Sequence, residues 1–203
     1  METIAVETPH GVARVYVHPV DRPRAGLVLG HGAGGGVTAR DLMAATTAAH
    51  AENVTAVLVE QPYRVAGRRS PSPARQLDAA WIAVLDHLRA TKLRGLPLVV
   101  GGRSSGARVA CRTAEAVGAV AVLCLAFPLQ PPARAGAATR PTRVAELDAV
   151  PVPILVVQGA RDPFGMPPHA PRRTVVEVAG DHSLRGDLGA VTDAIQTWLR
   201  ETV

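Results

Sequence analysis

Between an apolar run and a segment of helical period, the chain reads Val99-Val100-Gly101-Gly102-Arg103-Ser104-Ser105-Gly106-Ala107. Within this segment Gly102 to Gly106 match the pattern G-x-S-x-G, which has Ser104 at its centre. A serine between a strand and a helix in this pattern sits on a tight, strained turn that exposes its hydroxyl. The backbone amide of Ser105 then lies beside that hydroxyl as an oxyanion donor. The segment predicts a nucleophilic serine, and the alternative is a turn that merely packs a helix closely against a sheet.

The rest of the chain alternates between short apolar runs and segments of helical period. The apolar runs are Ala25–Leu29, Val54–Val59, Leu96–Val100, Ala119–Ala126, Ile154–Val157 and Thr174–Val178. Uninterrupted runs of this kind are typical of parallel strands that are buried on both faces. The predicted helices lie near residues 38–52, 75–93, 105–117, 142–148 and 187–202. Two strand-like segments at the N-terminus, Ile4–Thr8 and Val12–His18, predict a hairpin. We therefore expect an α/β fold with a mostly parallel central sheet, an N-terminal antiparallel hairpin and helices on both faces.

Length and composition indicate one domain that spans residues 1–203. A chain of 203 residues, 47% hydrophobic and 19% charged, is expected to build a single core and leaves no room for a second catalytic domain or a lid domain. The net charge is +5, but the basic residues are almost all arginine and form no continuous run, so nucleic acid is not an expected partner. No apolar run approaches the length of a membrane span. The lack of a leader at the N-terminus and the apolar settings of Cys111 and Cys124 favour a cytoplasmic protein with free thiols.

Two residues that follow later strands complete a candidate catalytic set with Ser104. A serine hydroxyl is a poor nucleophile at neutral pH and needs a base, which in turn needs an orienting group. Asp162 follows the run Ile154–Val157, and His182 follows the next run. In a parallel sheet both would emerge at the edge that carries Ser104, in the order serine, acid, histidine. Competing candidates for the two later positions are Asp148, Asp181, Asp187 and His169.

A glycine-rich segment after the first long apolar run allows two interpretations. His31-Gly32-Ala33-Gly34 could supply the amide of Ala33 as the second oxyanion donor, with Gly32 and Gly34 letting the substrate approach the backbone. The same segment, Gly30 to Gly35, also matches G-x-G-x-x-G, and Glu60 lies about where a ribose-binding acid would be. The hydrolase interpretation accounts for more segments of the chain. A dinucleotide-binding protein remains the rival at this stage.

These motifs together resemble the α/β-hydrolase superfamily. They are similar to its small dienelactone-hydrolase-like members and to the KANL/TEX-like predicted hydrolases, and Gln61–Pro71 resembles that branch as well. The resemblance implies the α/β-hydrolase fold without a lid domain and a catalytic triad of Ser104, Asp162 and His182. True dienelactone hydrolases use a cysteine nucleophile, so the serine leaves the substrate open. Because the narrower branch includes members regarded as scaffolds, a non-catalytic scaffold or binding protein also remains open.

Two arginine-bearing loops suggest what the substrate carries. The segment Gln61–Pro73 holds Arg64, Arg68 and Arg69, and Pro128–Arg143 holds Arg134, Arg140 and Arg143. With Arg103 beside the nucleophile, they could form an electropositive rim for carboxylate or phosphate groups. The alternative is solvated arginine favoured by coding bias, or, for Arg103, a structural pair with a carboxylate. The sequence thus predicts an esterase-like serine hydrolase of small acyl esters or thioesters that needs no cofactor. It gives neither the substrate nor the oligomeric state.

Overall fold

A computed structural model describes residues 1–131 and 141–203 of the chain. The strands are β1 (Glu2–Thr8), β2 (Gly11–His18), β3 (Ala25–Gly30), β4 (Val54–Glu60), β5 (Leu98–Arg103), β6 (Ala121–Leu125), β7 (Ile154–Gly159) and β8 (Arg173–Val178). The helices are α1 (Arg40–Ala51), α2 (Pro62–Val65), α3 (Ala74–Ala90), α4 (Ser105–Thr113), α5 (Val144–Asp148) and α6 (Leu188–Thr202).

One sheet of eight strands runs through the molecule in the order β1-β2-β4-β3-β5-β6-β7-β8. Strand β2 pairs antiparallel with both of its neighbours, and every pair from β4 to β8 is parallel. The predicted α/β class, the N-terminal hairpin and the mostly parallel sheet are confirmed. Because β5, β7 and β8 are parallel, their carboxyl ends meet at one edge of the sheet.

Apolar layers cover both faces of the sheet. One layer lies beneath α3, α4 and α5, and the other lies beneath α1 and α6, which pack against each other. Helix α3 buries an apolar stripe along one face: Leu77, Ala80, Trp81, Val84, Leu85 and Leu88. The core is built mainly from small aliphatic side chains. Among the described residues there is no lid domain, and no helix there has the length and apolar character needed to cross a bilayer.

Several element boundaries differ from the sequence-based prediction, and two of the differences bear on the site. Strand β5 does not end at Val100 but continues through two glycines to Arg103. Glycine disfavours strands, yet a Cβ on Gly101 would collide with the backbone of Leu123 in β6, so close strand packing requires it here. The segment Gln61–Pro73, expected as a loop, begins with the short helix α2, which Pro62 starts at a position where proline is favoured.

Candidate active site

Ser104 occupies the turn between β5 and α4, which we call the elbow. Its backbone has φ +53° and ψ −106°, a left-handed conformation that costs a non-glycine residue about 1–3 kcal/mol. Neighbouring residues hold it there, since the Ser104 N–H donates to the carbonyl of Leu125 at 2.9 Å. A Cβ on Gly102 would lie 2.5 Å from the carbonyl oxygen of Gly30, and a Cβ on Gly106 would meet the same backbone. The glycines of the motif therefore let the turn form tightly over β3.

A continuous hydrogen-bonded chain joins the three residues that the sequence singled out. The Nε2 atom of His182 lies 3.0 Å from Oγ of Ser104, and its Nδ1 atom lies 2.8 Å from Oδ2 of Asp162. An ionised carboxylate can only accept, so Nδ1 carries the proton and Nε2 is free to accept one from the serine. This is the arrangement in which a histidine can act as a base toward a hydroxyl.

The carboxylate of Asp162 is buried and held from three directions. Its Oδ1 accepts the backbone N–H of Phe164 at 2.9 Å, and its Oδ2 accepts Nε2–H of Gln158 at 2.8 Å as well as His182. Gln158 is fully buried in β7 and also donates to the carbonyls of Phe127 and Gly165. Gln158 was not among the residues predicted from the sequence. A polar residue directly after the apolar run Ile154–Val157 was the available signal.

The other candidates for the acid and the base have structural roles or lie apart from the serine. Asp181 accepts from the backbone and hydroxyl of Ser183 and shapes the loop beside His182. Asp187 caps the first turn of α6, and Asp148 pairs with Arg173. His169 is exposed in the segment before β8.

The glycine turn after β3 lies against the nucleophile. A Cβ on Gly32 would stand 3.6 Å from Cβ of Ser104, so this backbone borders the site. The turn closes through a hydrogen bond from the Gly35 N–H to the Gly32 carbonyl, and the hydroxyl of Tyr63 donates to the carbonyl of Ala33 at 3.0 Å. Gly34 lies exposed in the same turn. The amides of Ala33 and Ser105 belong to the two segments that flank Ser104.

His31 holds this turn in place through hydrogen bonds of its ring. It is buried, its Nε2 accepts the backbone N–H of Gln61 at 3.1 Å, and its Nδ1–H donates to the carbonyl of Gly32 at 2.8 Å. This pattern requires the neutral ring. Burial lowers the pKa of His31, and the positive charge of Arg64 lowers it further, against opposing contributions from the Gly32 carbonyl and Glu60.

The dinucleotide-binding alternative finds little support in this geometry. That motif requires the glycine loop to open directly into a helix, whereas α1 begins only at Arg40. Gly30 packs against Gly106 of α4 and the ring of Trp81 rather than facing open space. Glu60 accepts a hydrogen bond from the Tyr16 hydroxyl at 3.0 Å.

The arginines proposed for substrate binding have different surroundings. Arg103 pairs through Nε with Oδ2 of Asp41 at 2.9 Å and donates from Nη2 to the carbonyl of His182, so the structural pairing considered for it is present. Burial raises the pKa of Asp41, and the Arg103 guanidinium opposes that rise. Arg64 is half-buried beside His31, and Arg68 is exposed. Of the second loop, Arg134 and Arg140 lie outside the described residues, and Arg143 donates to the carbonyl of Pro128.

The described residues hold no cluster of three or more histidine, cysteine, aspartate or glutamate side chains placed to bind a metal ion. Cys111 and Cys124 are buried free thiols whose sulfur atoms lie 3.5 Å apart. Burial and the neighbouring Cys111 raise the pKa of the Cys124 thiol, with the hydrogen bond to Cys111 the larger cause. The pair lies beneath the elbow, between α4 and β6.

Comparison with known proteins agrees with this architecture. The family model described as an alpha/beta hydrolase domain matches residues 23–187. A serine hydrolase homologue from Coxiella burnetii superposes with a TM-score of 0.80 at 15% identity, covering 98% of this chain and 97% of the other. A serine hydrolase without a lid from Xanthomonas campestris gives 0.75 at 19% identity, with 98% and 94% covered. A dienelactone hydrolase from Anabaena variabilis gives 0.76 at 13%, with 100% and 97% covered.

No match is found among curated proteins. The family model nevertheless spans most of the chain. The chain therefore belongs to the alpha/beta hydrolase family of enzymes.

Proposed function

We propose that this protein is a serine hydrolase that cleaves carboxylic esters or thioesters of small acyl groups through an acyl-enzyme. The observation that supports this most strongly is the hydrogen-bonded chain from Ser104 through His182 to Asp162. Three residues from three separate loops meet in the order and protonation pattern that nucleophilic catalysis needs. The burial of Asp162 behind His182 and the strained backbone of Ser104 favour a catalytic protein over a scaffold.

Each of these residues then has a defined part in the reaction. Oγ of Ser104 attacks the acyl carbon while Nε2 of His182 takes its proton, and the Asp162 carboxylate stabilises the imidazolium that forms. The amides of Ser105 and Ala33 donate to the oxyanion of the tetrahedral intermediate. His182 returns the proton to the leaving alcohol or thiol. Water, activated by the same histidine, then hydrolyses the acyl-serine.

The small acyl group follows from the open setting of the site. No lid domain covers Ser104 among the described residues, so an extended apolar chain would find no enclosed tunnel there. The ring of Phe164 packs against the ring of His182, with centroids 4.4 Å apart, and adds an apolar surface beside the base. Such a surface suits a short acyl or aryl group.

Labelling with a fluorophosphonate probe tests the proposal. Wild-type protein and the Ser70→Ala control, which removes an exposed serine from the loop before α3, are expected to label with one probe per chain. Ser104→Ala is expected not to label. Absence of labelling in all three proteins, with folding confirmed by circular dichroism, would favour the scaffold interpretation. Labelling that persists in Ser104→Ala would place the nucleophile elsewhere.

A further inference from the structure

A cavity of about 250 Å³ lies beside the candidate active site, and the residues that line it are neighbours of Ser104 and His182 rather than these two residues themselves. Its wall includes Arg103 and Ser183, which adjoin the serine and the histidine in the chain. The glycine turn after β3 and the first turn of α1 complete it. Arg103 also connects the cavity to the nucleophile in space, because a Cβ on Gly32 would stand 2.7 Å from Nη1 of Arg103 and 3.6 Å from Cβ of Ser104.

Three arginines and one aspartate are among the residues that line the cavity. The arginines are Arg40, Arg103 and Arg185, and the aspartate is Asp41. Asp41 is already committed, because its Oδ2 pairs with Nε of Arg103 and its Oδ1 accepts the N–H of Leu42. Arg40 and Arg185 are exposed and form no ion pair with the part of the chain that the structure describes. The cavity thus carries positive charge that is not neutralised from within.

The start of α1 adds to this positive charge. The first amides of a helix have no intrahelical acceptors and carry the positive end of the helix dipole. Ala39, at the N-cap, has no side chain that could accept from them, and it lines the cavity together with Arg40. Oδ1 of Asp41 already accepts the Leu42 N–H, so the helix contributes less to this charge than the guanidinium groups, which attract anions.

We propose that this cavity binds an oxyanion group, a carboxylate or a phosphate, that the substrate carries near its scissile bond. Arg40 and Arg185 bind the group, and Arg103 forms the floor, held in place by Asp41. The inference rests on the proposed function and specifies its substrate class, which is acidic rather than neutral esters. It differs from a rim built on Arg64 and Arg68, because these residues belong to the loop after β4 rather than to the cavity.

Matched substrate pairs test this proposal. One pair compares the mono-p-nitrophenyl ester of glutaric acid with p-nitrophenyl butyrate, which places the charge on the acyl side. The second pair compares 4-acetoxybenzoate with its neutral methyl ester, which places the charge on the leaving group. In at least one pair we expect kcat/KM for the acidic ester to exceed that for the neutral one about tenfold or more at low salt. Because both arginines are exposed, this preference should fall as ionic strength rises.

Substitution then assigns the preference to the cavity. Arg40→Gln and Arg185→Gln are each expected to lower the acidic-to-neutral ratio several-fold, and the double variant is expected to abolish it. The matched control is Arg94→Gln, which removes an exposed arginine before β5, at the opposite edge of the sheet. That control should keep the wild-type ratio. Inhibition of butyrate hydrolysis by glutarate and by inorganic phosphate distinguishes the two anions.

Two results would overturn the inference while leaving the proposed function intact. One is hydrolysis of neutral esters without preference in either pair and without inhibition by either anion. The other is a preference that survives in the Arg40→Gln, Arg185→Gln double variant. If wild-type protein neither hydrolyses any ester nor reacts with the fluorophosphonate, the proposed function fails, and the substrate assignment fails with it.

Discussion

Replacing Asp162 with asparagine is expected to abolish most of the activity while the fold remains. In the native site two N–H donors, from Gln158 and His182, converge on Oδ2, and the N–H of Phe164 donates to Oδ1. An asparagine must present its NH₂ group to one of these positions. At Oδ2 it would force the histidine proton onto Nε2, which faces Ser104, and at Oδ1 it would leave the Phe164 N–H unpaired.

The expected loss of activity follows from the negative charge that an asparagine lacks in either orientation. The Asp162 side chain is fully buried, and its Oδ2 lies 2.8 Å from Nδ1 of His182. At that separation and an effective dielectric constant of about 20, a carboxylate stabilises an imidazolium by about 6 kcal/mol. A loss of that size corresponds to about 10⁴-fold in kcat, the order seen when the carboxylate of other triads becomes an amide. The unpaired Phe164 N–H, which is partly buried, should also lower the free energy of unfolding by about 1 kcal/mol.

The assay is steady-state hydrolysis of p-nitrophenyl acetate, together with urea denaturation to measure stability. Asp181→Asn is the matched control, because its Oδ1 can still accept from Ser183 and its exposed carboxylate lies one residue from the histidine. We expect this control to remain within a few-fold of wild type. If Asp162→Asn retained more than about a tenth of the wild-type kcat, the carboxylate would not be the group that orients and stabilises His182.

Two further predictions concern the elements that support the site. The pKa of His31 is lowered in the folded protein, so the folded chain binds a proton at this ring less readily than the unfolded chain does. As the pH falls below the ordinary histidine value of about 6.5, the unfolded chain takes up that proton first. The free energy of unfolding should therefore decrease with falling pH, by at most about 1.4 kcal/mol per pH unit. In urea titrations at pH 7.5 and 5.5, His31→Gln should flatten this dependence and the exposed control His10→Gln should not; equal slopes in all three would contradict the assignment. Gly102→Ala should cost more than about 3 kcal/mol or prevent folding, because its Cβ would meet the Gly30 carbonyl, whereas Gly36→Ala has open space and should change Tm little. A tolerated Gly102→Ala in thermal melts would contradict the tight packing at the elbow.

Much of the fold could be predicted because the sheet is built from local signals. Buried parallel strands appear as apolar runs, helices appear as stripes such as that of α3, and parallel order brings the loops after β5, β7 and β8 to one edge. The three candidate triad residues are identifiable for the same reason, since each lies in the turn or loop that follows a strand. Strand order itself is non-local, and it was not predicted from the sequence.

The contacts around the site could not be predicted, because they join residues far apart in the chain. Nothing near Arg103 indicates that its partner is Asp41 on α1, or that Arg40 and Arg185 line one cavity. Gln158 lies within the buried strand β7, and its apolar neighbours there gave no indication of a residue that contacts the site. The extension of β5 through glycines was missed because propensity favours ending the strand, and only the approach of β6 explains why glycine is needed.

The most direct test of Ser104 as the nucleophile is to trap the acyl-enzyme. Wild-type protein is mixed with p-nitrophenyl acetate, quenched in acid within the first turnovers, digested and analysed by mass spectrometry. We predict one acetyl group per chain, located on Ser104, together with a burst of nitrophenol of the same stoichiometry. Hydrolysis that proceeds with no acetyl group on Ser104, or at an undiminished rate in Ser104→Ala, would contradict the mechanism.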